Sequence, residues 1–143
     1  MTINGQIAET LVNKLSSSSA FTDLTFVMAY ENEIKPTPVS MPIVAISVKG
    51  CKIGEKLTET LDTGEITETK KRELLSTISV DIYLPYSMGG CEGHKIFDRI
   101  ATFIIFASEM KIATATCGAA DYDKSCEAIV LKTQFIFRNI IAS

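Results

Sequence analysis

The chain lacks most of what enzymes use to move protons near neutral pH. Its 143 residues include one histidine, His94, and histidine is the side chain whose ordinary pKa lies closest to neutrality. His94 falls beside Lys95 and Asp98 on the polar flank of a helical pattern, where a solvated histidine is the plain expectation. Cys91 and His94 have the C-x-x-H spacing of half a zinc site. No second C-x-x-C or H-x-x-H pair supplies the remaining ligands of a tetrahedral ion. Gly89-Gly90 has neither the G-x-G-x-x-G nor the G-x-x-x-x-G-K-S/T context that cradles phosphates. Asp121 and Asp123 offer two carboxylates two positions apart, a pairing that serves hydrolysis or a hard cation when other ligands converge on it. In a turn between strands, aspartate is favoured for local backbone bonding instead. No catalytic residue, cofactor site or metal site is assigned, and the expectation is a protein that is not an enzyme.

Other absences narrow the partners. No basic cluster is longer than Lys70-Lys71-Arg72 and the formal net charge is −3, so no field exists to hold a polyanion irrespective of sequence. Met1-Thr2-Ile3-Asn4-Gly5 lacks the basic region and apolar run of a signal peptide, and no stretch approaches the ~20 apolar residues of a membrane helix. The expectation is a soluble protein made in the cytoplasm, whose cysteines at 51, 91, 117 and 126 are free thiols packed as small apolar groups.

What is present is ordinary globular material. Hydrophobic residues make up 46% and charged residues 22%, which excludes disordered and fibrous classes. The length suits one domain, residues 1–143, with a core large enough to stand without staples. In residues 3–15 apolar side chains recur at Ile3, Ile7, Ala8, Leu11, Val12 and Leu15, the spacing of an amphipathic helix. The serine run 16–19 ends it, because serine side chains compete for backbone hydrogen bonds. A first strand is predicted over residues 24–30, a proline-bearing loop or strand edge over 31–38, and a second strand over 41–53, where Val44, Ile46 and Val48 alternate with more polar residues.

Residues 57–73 are the most polar part of the chain, rich in Thr, Glu and Lys with too little apolar surface for a core. They read either as a solvated hairpin extension or as an arm that orders against a neighbouring subunit. Beyond them Ile78, Val80, Ile82 and Leu84 alternate with Thr77, Ser79, Asp81 and Tyr83 in a clear strand that Pro85 stops. A second helix is predicted over residues 91–110. Its stripe of Phe97, Ile100, Ala101, Ile104 and Ala107 is widened by Ile96, Phe103, Phe106 and Met110, so burial on more than one side is expected. Two closing strands, residues 111–118 and 127–137, are joined by a turn over 119–123. The fold class is α+β, a mostly antiparallel sheet packed by an N-terminal helix and one long central helix, with a protruding polar hairpin or loop.

This layout resembles the tail terminator or collar proteins of phage tails and phage-derived contractile bacteriocins (tailocins). Three stretches carry the likeness: Ser79-Val80-Asp81-Ile82-Tyr83-Leu84-Pro85-Tyr86, Lys95-Ile96-Phe97-Asp98-Arg99-Ile100, and Tyr122-Asp123 leading into Ala128-Ile129-Val130-Leu131-Lys132-Thr133-Gln134-Phe135-Ile136-Phe137. It spans residues 21–138. The resemblance implies a homohexameric ring that caps the tail tube, ends its polymerisation and, in a contractile particle, touches the last sheath ring. Its implied partners are further copies of itself, the tail tube protein, and a sheath or head-completion protein, with no specific nucleic acid and no membrane. Such a protein works in the bacterial cytoplasm during assembly and then within the virion tail or bacteriocin. The family carries no catalytic residues to transfer, and the polar segment 57–73 departs from its pattern.

A helix apolar on two sides in a chain of this size has more hydrophobic surface than one sheet face covers, and a subunit interface is the natural place for the excess. The candidate interface residues are Thr60, Glu65, Glu68, Lys70, Lys71 and Arg72 in the polar segment, with Phe103 and Phe106 on the helix. Two alternatives stand beside the terminator: a tube, sheath-initiator or head-completion protein of the same kind of particle, and a small enzyme or ligand-binding domain in which Asp121, Asp123 and His94 converge on a pocket.

Overall fold

Helical spacing at the start of the chain produces α1 (Ile3–Ser17). Ile7, Ala8, Leu11 and Leu15 turn inward while Glu9 and Asn13 stay exposed. Ser18 then caps a short 3-10 turn, Ser19–Phe21, its hydroxyl accepting from the Ala20 N–H at 3.2 Å. The serine run thus ends one helix and opens the next turn. The computed structural model describes residues 3–28, 41–89, 91–124 and 127–142, leaving aside the side chains of 3–5 and 142. The predicted loop over 31–38 and the last two residues of the first predicted strand lie outside the described residues.

Strand β1 (Thr25–Met28) runs parallel to β2 (Ile43–Thr60), with Thr25 opposite Ile43. β2 then turns back into β3 (Ile66–Pro85) as a long antiparallel hairpin. Both strands outrun the predicted segments because the polar residues 57–73 are themselves strand, paired Thr58 to Glu68 and Thr60 to Ile66. Thr-rich sequence has β-propensity even without an apolar face. The turn is closed by the Leu61 N–H donating to the Glu65 carbonyl at 2.7 Å, and Gly64 takes the φ of +86° that the reversal requires.

Helix α2 (Cys91–Ala107) follows a 3-10 turn, Tyr86–Met88. It stops three residues before the predicted end. The buried Ser108 hydroxyl donates to the Ile104 carbonyl at 2.6 Å and accepts from the Met110 N–H at 3.1 Å, and Glu109 adopts a left-handed φ of 63°. At the other end Gly93 lets α2 come close to the sheet, where a Cβ would meet Leu131 and Leu84 at 3.4 Å.

The chain closes with β4 (Ile112–Cys117), β5 (Asp121–Asp123) and β6 (Ala128–Ala142), all antiparallel to their neighbours. Residues 121–123, predicted as part of a turn, form a short strand on β6 with Asp121 opposite Val130. The last strand runs five residues past its predicted end because β3 offers it partners as far as Lys71. The sheet order is β1-β2-β3-β6-β4, with β5 also on β6.

Both helices contribute to the main core, in which Val44, Ile46, Ile78, Val80, Ile82, Leu131 and Phe135 meet Leu11, Leu15, Ile100 and Ile104. The opposite face carries a small cluster of Ala45, Tyr83, Ala128 and Val130, and below it polar residues. Among the described residues no buried side-chain nitrogen or oxygen lacks a hydrogen bond. The expected burial on several sides of α2 is corrected: Ile96, Ile100 and Ile104 are buried on one stripe while Ile105, Phe106 and Ala107 are exposed. Three of the four cysteines are corrected too, Cys126 lying outside the described residues. Cys51, Cys91 and Cys117 are free but exposed, because they stand on the hairpin, at the helix start and at the end of edge strand β4 instead of inside. No helix among the described residues is long and apolar enough to cross a membrane.

Candidate interaction surface

The β2–β3 hairpin leaves the body of the protein as an arm. From residue 55 to 72 every residue is exposed except Leu57 and Thr69, which are half-buried. β6 accompanies β3 only to Lys71, opposite Ala142, so among the described residues the arm beyond that point is two strands with no further strand on either edge. A lone hairpin is marginal in water. Here side chains brace its root: the Thr69 hydroxyl donates to the Leu57 carbonyl at 2.9 Å and accepts from the Lys71 N–H at 3.1 Å, and Arg72 Nη1 donates to the Gly54 carbonyl at 3.0 Å. These bonds fall where the ladder slips register, between Ile53 and Thr58.

The six polar candidates therefore share one element. Thr60 pairs with Ile66 beside the turn, Glu65 closes the turn through its carbonyl, and Glu68 lies opposite Thr58. Lys70 is exposed, Lys71 begins the pairing with β6, and Arg72 braces Gly54. Charge is divided along the arm. Residues 57–69 contain Glu59, Asp62, Glu65 and Glu68 and no Lys or Arg, whereas Lys52, Lys56, Lys70, Lys71 and Arg72 cluster nearer the body.

Phe103 and Phe106 stand apart on α2. Phe103 is half-buried, edge-on to Phe21 with ring centroids 5.4 Å apart. Phe106 is 83% exposed and Ile105 beside it 55%. Sequence reasoning missed Ile105, although the run Ile104-Ile105-Phe106 signals one apolar residue more than a single stripe holds. It also missed the exposed Ile53 at the root of the arm and Ile66 beside its turn, which no local pattern marks.

Near this helix face Arg99 locks the 3-10 turn to α2. Its Nη1 and Nη2 donate to Asp23 Oδ2 and Oδ1 at 3.0 and 2.9 Å, Nη2 also donates to the Ala20 carbonyl at 2.7 Å, and the guanidinium lies 5.4 Å from the Phe21 ring centroid. The hydrogen bonds from Arg99 hold the Asp23 carboxyl below its ordinary pKa, and Asp23 in turn raises that of Arg99.

The residues weighed for chemistry sit elsewhere. His94 is exposed, with Nε2 3.0 Å from the Gly118 carbonyl. Asp121 and Asp123 lie on β5, opposite Val130 and Ala128. A hollow of about 500 Å³ opens between α1, the end of α2 and the root of the arm, lined in part by Ile7, Thr10, Leu57, Met110 and Phe137; it includes none of those three residues. Among the described residues no group of three or more His, Cys, Asp or Glu side chains is arranged to hold a metal ion. No protein-family model matches the chain, and no curated protein matches it.

Proposed function

We propose that this protein is a structural assembly subunit, a tail terminator that forms a homohexameric ring and caps the tail tube of a phage tail or contractile bacteriocin. The observation that carries the proposal is the arm: a braced two-stranded extension, exposed except at half-buried Leu57 and Thr69, with no further strand on either edge among the described residues and no core of its own. Such an element gains little by folding on itself, because ordering costs ~1–2 kcal/mol per residue and few apolar contacts offset it. It gains by docking on something else. The exposed Ile105 and Phe106 on α2 add a second, apolar surface that favours association. The resemblance of residues 21–138 to terminator proteins supplies the kind of assembly: tube protein beneath the ring, and sheath or head-completion protein around or above it. The role is non-enzymatic.

Native mass spectrometry of the purified full chain tests this. A closed species six times the 15.6 kDa subunit supports the terminator. A single subunit at every concentration overturns it, and open stacks of growing length assign the chain to the tube instead.

A further inference from the structure

The sheet face opposite the helices carries a basic patch that the linear sequence conceals. Lys52 lies opposite Leu75, and Lys132 opposite Asp81, so register brings both lysines to the face that also bears Leu75, Thr77 and Ser79. Lys49, at the bulge between Val48 and Gly50, lies between them and lines two shallow hollows on this face. One, of about 330 Å³, has Leu75, Thr77 and Ile136 as its floor with Lys49 and Lys52 beside them. The other, of about 380 Å³, is lined by Lys49, Lys132, Gln134 and Asp81 among others. Asp81 is the carboxylate on this patch, and it accepts from the Ser79 hydroxyl at 3.1 Å. The three lysines and Gln134 are exposed. The neighbouring Arg138 is already paired with Glu73 at 3.1 Å.

We infer that this lysine-bearing face receives the acidic tip of the arm of a second copy of the chain; the inference rests on the ring-forming reading above and names its two contact surfaces. Charge complementarity chooses the occupant. The tip carries Glu59, Asp62, Glu65 and Glu68 with no Lys or Arg from residue 57 to 69, and the two hollows on the face are lined by Lys49, Lys52 and Lys132 against one carboxylate. Apolar groups match as well: Ile66, 71% exposed beside the turn, suits the hollow floored by Leu75 and Ile136.

The tip does not reach its own face. From Lys52 to Glu59 the chain is continuous strand, so the acidic end stands about 23 Å from Lys52 of the same molecule at ~3.3 Å per residue, and further from Lys49 and Lys132. Tip and face are different surfaces, so the contact is heterologous, head to tail, and closes into a ring when the rotation per subunit permits. Opposed charge fixes which surface meets which and speeds encounter, and salt weakens it.

Charge reversal in the full chain tests the pairing. One variant carries Glu59→Lys, Glu65→Lys and Glu68→Lys; the other carries Lys49→Glu, Lys52→Glu and Lys132→Glu. Each alone is expected to show only the single-subunit mass, because like charges then face each other. An equal mixture is expected to recover the ring, since the reversed tip fits the reversed face and the native tip the native face in alternation. Far-ultraviolet spectra matching the wild type, together with a cooperative melt, confirm that each variant folds. Should either reversal not fold, triple Gln variants at the same positions replace it, and loss of ring at a salt concentration the wild type tolerates is the expected result. A ring that survives either set of substitutions, or a mixture of folded variants that fails to recover it, overturns the inference. A wild-type chain that forms no ring fails the functional reading itself, a distinct result.

Discussion

Arg99 grips Asp23 with both arms of its guanidinium, at 2.9 and 3.0 Å, and so ties the middle of the central helix to the turn that follows the first one. Both side chains are largely exposed, 40% and 59%, which limits the value of the pair as an isolated attraction. Its value is positional, because the same guanidinium holds the Ala20 carbonyl and covers Phe21.

The first prediction separates charge from position. Asp23→Asn should cost no more than about 1 kcal/mol, as exposed pairs do, whereas Arg99→Ala should cost more, because it also releases the Ala20 carbonyl and uncovers Phe21. The sign with pH follows from linkage. The Asp23 pKa is lowered in the folded state from its ordinary 3.8, so its contribution is present in full above that value and fades as acid protonates the folded carboxyl. Urea melts of the wild type and Asp23→Asn should therefore differ at pH 6 and converge at strongly acidic pH. A difference that grows on acidification would refute the assignment.

The second prediction concerns thiols. Cys51, Cys91 and Cys117 are exposed, so replacing the three with Ser should move stability by only about 0.5 kcal/mol, as substitutions at the surface do. All three should alkylate in the native protein at rates near those of free thiols, read site by site by peptide mass spectrometry. Protection of any one in the isolated subunit would contradict its exposure. Protection that appears only in the assembled protein would place that cysteine in an interface.

Much of the fold was legible because period and polarity agree where a residue sits between one core and water. Ile78, Val80, Ile82 and Leu84 alternate cleanly, and all four are buried. Ile7, Leu11 and Leu15 repeat at helical spacing and are buried as well. Legibility fails where a third influence acts. Residues 121–123 look like a turn, and only the reach of β6 beside them makes them a strand. The helix end is set by Ser108 bonding back to Ile104, a local choice that apolar periodicity does not register. The arm was visible as polar sequence, but its acidic end and the lysine-bearing face became surfaces only through the β2–β3–β6 register, which joins positions far apart in the chain.

The last prediction asks whether the arm belongs to the subunit or to the assembly. Replacing residues 58–68 with an Asn-Gly turn should join Leu57 to Thr69 without strain, since that dipeptide favours tight hairpins, and it keeps the bond between the Thr69 hydroxyl and the Leu57 carbonyl. Every residue removed is exposed, so the main core of Ile78, Ile82, Ile100 and Phe135 loses no contact and the melting temperature should stay within a few degrees of the wild type, the shift expected for about 1 kcal/mol or less. Assembly should not survive, because the removed stretch holds all four acidic groups of the tip together with Ile66. Because assembly itself raises the melting temperature, the melts are compared at a dilution where the wild type is also a single subunit. A truncated chain that no longer folds would show that the arm stabilises the subunit itself, and one that folds and still forms rings that terminate tails would reduce the arm to solvated surface.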